Sequence, residues 1–203
     1  MLRTVPGKIQ VTDDTTFSKL VSLACHDLRT PLATVYGFAR TITRADGLDP
    51  TLASYSEMIE QASEQLTELL EELSLVARIE GGRYDPKLDA VSTGELAAAA
   101  AERLGAERVG VSGDGGSVRA DGDAAKRSIS ALVQCALRHG GLDRVDVVAD
   151  GTELRVSPIT PASAPVVLGQ DLRDLGAAVA VRHVEWLGGS VSVDGETLTI
   201  RLA

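Results

Sequence analysis

Three histidines occur in the 203 residues, and one of them, His26, is followed directly by a carboxylate, Asp27. A water-facing imidazole beside a carboxylate can act as a nucleophile while its neighbour takes the ring proton or holds the reactive tautomer. Arg29, Thr30 and Pro31 follow within one helical turn. Proline has no N–H, so in a helix Pro31 deprives the Asp27 carbonyl of its partner and lets the chain bend just past the reactive residue. Such a bend helps a second protein approach. The two cysteines, Cys25 and Cys135, stand in helix-like apolar contexts without a metal-ligand spacing such as CxxC, and are expected to be buried, reduced thiols.

These residues need an element to present them. Over 17–42 apolar side chains recur at Phe17, Leu20, Ala24, Leu28, Leu32, Val35, Phe38 and Ile42, the spacing of a helix with one buried stripe. At about 100° per residue, His26 lies roughly 200° from Ala24 and from Leu28, away from that stripe. Asp46-Gly47 ends this helix, and Asp49-Pro50 starts a second with a capping residue and a proline at its first position. Leu52, Tyr55, Ile59, Ala62, Leu66, Leu69, Leu73, Val76 and Ile79 mark its stripe before Gly81-Gly82 stops it. Two helices joined by a short turn form an antiparallel hairpin, whose stripes alone cannot enclose a core. Self-association into a four-helix bundle is the simplest remedy, with packing against the rest of the chain as the alternative.

Beyond Tyr84-Asp85-Pro86 the pattern changes to short strands and helices, the signature of an α+β sandwich. Ser92-Thr93-Gly94-Glu95 has capping-box spacing ahead of an Ala-rich helix. Strands are expected over 109–112, 118–120, 145–149 and 154–156, helices over 124–139 and 171–187, and a last hairpin turning at Asp194-Gly195. The expected domains are an N-terminal extension (1–13), a helical hairpin (14–82) and the sandwich (83–203).

His26-Asp27-Leu28-Arg29-Thr30-Pro31-Leu32 resembles the H-box of bacterial histidine kinases at every position, and 14–80 resembles their dimerisation and histidine-phosphotransfer hairpin. The resemblance implies that His26 is the phosphoacceptor, Asp27 its general base or orienting group, and Thr30 a residue that positions a hydrolytic water in phosphatase-active members. It implies that Arg29 and Pro31 help dock a receiver domain.

The second part is similar in register to the kinases' ATP-binding domain but departs from it in chemistry. Ala131 and Cys135 stand where asparagines of the family's N-box hold magnesium and phosphates, and neither suits a hard cation. Where the family has an aspartate that reads adenine, followed by glycines, the chain has Val156-Ser157-Pro158-Ile159-Thr160-Pro161. The later glycine-rich box survives only as Asp174-Leu175-Gly176-Ala177, and 157–169 is short for a nucleotide lid. The stretch from Val184 to Val191 keeps the family's packing pattern.

The expectation is a dimeric histidine phosphotransfer protein that relays phosphoryl groups between receiver aspartates without ATP, cofactor or metal. It resembles dimeric phosphotransferases built as degenerate kinases. A divergent sensor kinase or phosphatase and a non-catalytic scaffold for response regulators stay open. The expected partners are a second copy, response-regulator receiver domains and an upstream hybrid kinase. A net charge of -9 with no Lys/Arg run argues against nucleic acid. No apolar run approaches the roughly 20 residues that span a bilayer, so the expected location is the cytoplasm.

Overall fold

The structure, a computed structural model, describes residues 11–45 and 47–203. The chain divides into two compact units, one ending at Tyr84 and one beginning at Asp85. Most of the expected N-terminal extension, and Asp46 of the expected turn, lie outside the described residues.

The first unit is the hairpin of α1 (Val11–Thr43) and α2 (Pro50–Glu80). The Asp49 carboxylate accepts from the N–H groups of Thr51 and Leu52, capping α2 where the Asp-Pro pair predicts a start. The seam between the helices corrects the sequence reading. Phe17, Leu28, Val35, Phe38 and Ile42 of α1, and Leu52, Tyr55, Ile59, Leu66 and Leu69 of α2, are between 46% and 69% exposed in the single chain. The residues turned inward instead repeat every seven positions. They are Ser18, Cys25, Leu32 and Ala39 on α1, and Ser56, Ser63, Leu70 and Ala77 on α2; Leu75 of α2 is also buried, outside this repeat. All but the half-buried leucines are fully buried, and all but the leucines are small. Small side chains let the backbones come close enough for Ser56 Oγ to donate to the Ala39 carbonyl across the seam at 2.7 Å. The stripe read from the sequence meets this seam at Leu32 and is half-buried at Leu73, Val76 and Ile79, but it misses the serines and alanines that make up most of the seam.

The second unit holds a two-stranded sheet and a five-stranded sheet. In the first, β1 (Asp89–Ser92) pairs antiparallel with β3 (Ser117–Ala120). In the second, β2 (Val109–Ser112), β4 (Val145–Asp150), β5 (Glu153–Ser157), β7 (Thr197–Arg201) and β6 (Ser190–Asp194) lie in that order. β2 and β4 are parallel and the other pairs antiparallel. Period-two alternation puts Val145, Val147, Leu154, Val156, Leu198 and Ile200 on one face, all buried. That face is covered by α3 (Thr93–Leu104), α4 (Gly122–Gly140) and α6 (Leu175–Trp186), through residues such as Leu96, Ile129, Leu132, Val133 and Val184.

Three differences from the expected elements have local causes. β1 is too short, and too much exposed, to alternate visibly. The short helix α5 (Ala164–Val167) falls in a Pro- and Ser-rich stretch that reads as loop. The expected helix over 171–187 begins only at Leu175, because Asp174 adopts extended backbone and accepts from Ala177 N–H as its N-cap.

The sheets are joined at the glycines near 115. Thr93 Oγ1 donates to the Gly151 carbonyl (2.6 Å) and accepts from Gly116 N–H (3.0 Å), while Thr93 N–H donates to the Gly116 carbonyl (2.9 Å). A Cβ on Gly115 would collide with the backbone of Gly94, so only glycine admits this approach.

His183 of α6 is fully buried, with Nδ1 2.9 Å from Ser128 Oγ of α4. Burial chiefly lowers its pKa to about 4; Asp121 opposes and Arg127 reinforces the shift. Because the folded value lies below the ordinary 6.5, its contribution is intact above pH 6.5 and is lost as pH falls towards 4, where the unfolded chain takes up a proton that the folded one refuses. The stability lost between pH 7.5 and 4.5 should therefore be smaller in His183→Gln than in wild type, by at most about 2.5 kcal/mol. Urea unfolding followed by the fluorescence of Trp186, the single tryptophan, measures this for the second unit; equal losses in the two proteins would remove the role assigned to the buried ring.

Candidate functional site

The candidate nucleophile sits mid-way along α1. The side chains of His26 and Asp27 are 76% and 67% exposed, and Nδ1 of the ring lies 3.1 Å from Asp27 Oδ1. An ionised carboxylate only accepts, so the contact places the ring hydrogen on Nδ1 and leaves Nε2 with its lone pair as the attacking atom. The buried neighbour Cys25 belongs to the inter-helix seam, which turns the next residue to water.

Arg29, Thr30 and Pro31 are all exposed. Pro31 lies inside α1, which continues to Thr43, so the helix tolerates the missing N–H. Arg29 and Thr30 line an open groove with Ala33, Thr34 and, from α2, Thr67. The Thr30 carbonyl accepts from Thr34 Oγ1 at 3.1 Å. Ala33, Thr34 and Thr67 were not expected from the sequence; their only signal is position, one turn from Thr30 or on the facing helix. The structure thus brings His26 and Asp27 into direct contact, and Arg29 and Thr30 onto one groove.

In the second unit the boxes that resemble an ATP site meet where α4 faces the start of α6. Ala131 is half-buried, and Cys135 is fully buried in the core. Burial pushes the Cys135 thiol up to about 12, the Asp174 carboxylate adds to the shift, and Arg138 and Arg173 oppose it. Asp174 uses both oxygens. Oδ1 caps α6 through Ala177 N–H, and Oδ2 lies 3.1 Å from His139 Nε2 and 3.5 Å from Arg138 Nη1. His139, which no motif singles out, thus ties α4 to α6. The segment over 157–169, short for a lid, folds inward, and Val166 and Val167 of α5 are fully buried.

The His Kinase A (phospho-acceptor) domain matches residues 18–82. Sensor protein DivL of Caulobacter vibrioides is 28% identical over 121 residues, which are 56% of this chain and 16% of DivL. The probable sensor histidine kinase TcrY of Mycobacterium tuberculosis is 35% identical over 71 residues, 34% of this chain and 15% of TcrY. The chain therefore spans about a sixth of the length of these relatives. Among solved structures, full-length ShkA in complex with AMPPNP resembles the chain with a TM-score of 0.64 at 18% identity, over 91% of this chain and 46% of ShkA. The chain is histidine kinase-like, a helical hairpin followed by an α/β sheet domain resembling histidine-kinase ATP-binding domains.

Proposed function

We propose that this histidine kinase-like chain works in two-component signalling as a histidine phosphotransferase, with His26 carrying the phosphoryl group. The observation that carries the reading is the contrast between its two candidate centres. His26 and Asp27 stand open to water, whereas the corner that resembles a nucleotide site is filled by a buried thiol and closed by the Asp174–His139 contact. In the proposed step His26 Nε2 attacks the phosphorus of a receiver's aspartyl phosphate. The N–P bond forms as the acyl-phosphate P–O bond breaks, and the receiver leaves with a free carboxylate. Positive charge builds on the ring, and Asp27 balances it through Nδ1–H or takes that proton. The reverse reaction passes the group to a second receiver. Arg29 and Pro31 would dock the acidic partner, and Thr30 would orient water if the phosphorylated receiver is also hydrolysed.

A second copy of the chain is the proposed cover for the outward stripes, making a four-helix bundle from two hairpins. No described helix is long and apolar enough to cross a membrane. We place the protein in the cytoplasm, with receiver domains and an upstream hybrid kinase as partners. The proposed phosphotransfer domain spans 14–82 and the degenerate ATPase-like domain 83–203. A second reading, a divergent sensor kinase or phosphatase, is favoured by the TcrY match, since that relative is itself described as a probable sensor histidine kinase.

Leu66 tests the bundle cleanly because it is half-exposed in the single chain. Leu66→Asp should leave the helix content of each hairpin nearly unchanged but bury an unpaired charge on association, at a cost of about 3 kcal/mol or more. The variant should sediment as a monomer; a dimer of wild-type strength would move the interface elsewhere.

The decisive experiment incubates the protein separately with labelled Mg-ATP and with a phosphorylated receiver. The receiver should label wild type, giving an acid-labile, alkali-stable phosphohistidine, and ATP should not. His26→Ala should keep its helix content and oligomeric state but take up no phosphate, and Asp27→Asn should slow uptake by about a hundredfold. Labelling of His26 by ATP would favour the kinase reading, and uptake by His26→Ala would overturn both.

A further inference from the structure

Cys135 and His139 lie four residues apart on α4, and so on one face of it, while Asp174 reaches them from the N-cap of α6. One donor atom from each, a thiol sulfur, an imidazole nitrogen and a carboxylate oxygen, all lie within 4.8 Å of one another. We propose that these three residues form a zinc site that staples α4 to α6.

Four features support it. The donor set is one that Zn²⁺ takes readily and Mg²⁺ does not, since sulfur and imidazole suit a borderline-soft ion. Tetrahedral zinc with ordinary bond lengths holds such donors about 3.5 Å apart, so small side-chain rotations would close the site around an ion. Asp174 is already oriented for one-oxygen ligation, because Ala177 N–H holds Oδ1 and leaves Oδ2 turned to His139. The side chains of His139 and Asp174 are 18% and 10% exposed, which leaves a way in and a fourth position for water.

Binding exchanges contacts already present. The ion takes the place of the His139–Asp174 hydrogen bond and the Cys135 thiol proton, which leaves to solvent. Arg138, 61% exposed, is able to swing away from Asp174, and Arg173 pairs with Asp171 at 2.7 Å. The proposal stands independently of phosphotransfer through His26, which lies in the other unit.

The test uses the full chain without an affinity tag. Cobalt titration should give one ion per chain with a thiolate-to-cobalt charge-transfer band in the near ultraviolet, bleached by added zinc. Zinc should raise the melting temperature read from Trp186 by about 5 °C at saturation, and a chelator should reverse the rise. Cys135→Ser should remove the band. Because that substitution alters the core, His139→Gln and Asp174→Asn, which keeps the capping oxygen, carry the test if it fails to fold; each should weaken binding by about tenfold or more. The absence of a thiolate band in wild type, an undiminished band in Cys135→Ser, or unchanged zinc affinity in both His139→Gln and Asp174→Asn would overturn the proposal, leaving a plain ion pair beside a core cysteine.

Discussion

A hairpin of two helices has more apolar surface than one seam can hide, and the first unit is organised around that constraint. Its inner seam is given mainly to serines, alanines and one cysteine, with Leu32 and Leu70 between them, and it brings the helices close enough for Ser56 Oγ to reach the Ala39 carbonyl. The bulk of the hydrophobic surface is thereby carried outward on Phe17, Phe38, Ile42, Leu52, Leu66 and their neighbours. The narrow seam also fixes the rotation of α1. With Ser18, Cys25 and Ala39 turned inward, His26 has no choice but to face water, and the attitude of the imidazole follows from side chains that take no part in chemistry.

The second unit solves the opposite problem. Its sheet has one apolar face, and three helices cover it so fully that its largest aliphatic side chains lose almost all exposure, with the short α5 packed on two of them. Asp174 ties α4 to α6 through His139, and 157–169 contributes Val166 and Val167 to the core. Cys135, Val166 and Val167 are fully buried, so the side chains at this corner supply packing between the layers.

Much of this was legible in the residues. The H-box string points to His26 and Asp27, whose side chains are exposed and in contact, while capping and proline signals locate the start of α2 and period-two alternation the strands of the larger sheet. What escaped the sequence did so for physical reasons. The inner seam escapes the sequence because serine and alanine carry little hydrophobic signal beside the larger residues of the outward stripe. The start of α6 escaped because Asp171 and Asp174 are both capping residues by type, and only the extended backbone of Asp174 shows which one caps. His139 escaped because its partner lies 35 residues away in the chain. Thr34 and Thr67 became visible only once two helices were brought side by side.

The clasp at Thr93 carries an implication for the order in which the chain assembles. Its hydroxyl bonds to Gly116 and Gly151, 23 and 58 residues away in sequence, so it cannot form until β4 and β5 have been made and turned at Asp150-Gly151. β1 and β3 are four residues each and expose much of their length, too little to persist as an isolated ribbon. Closing so long a loop carries an entropic penalty that local contacts cannot offset until the larger sheet exists. The Thr93–Gly151 bond therefore waits on a turn in the other sheet, and the start of α3 is anchored by residues that the ribosome adds well after it.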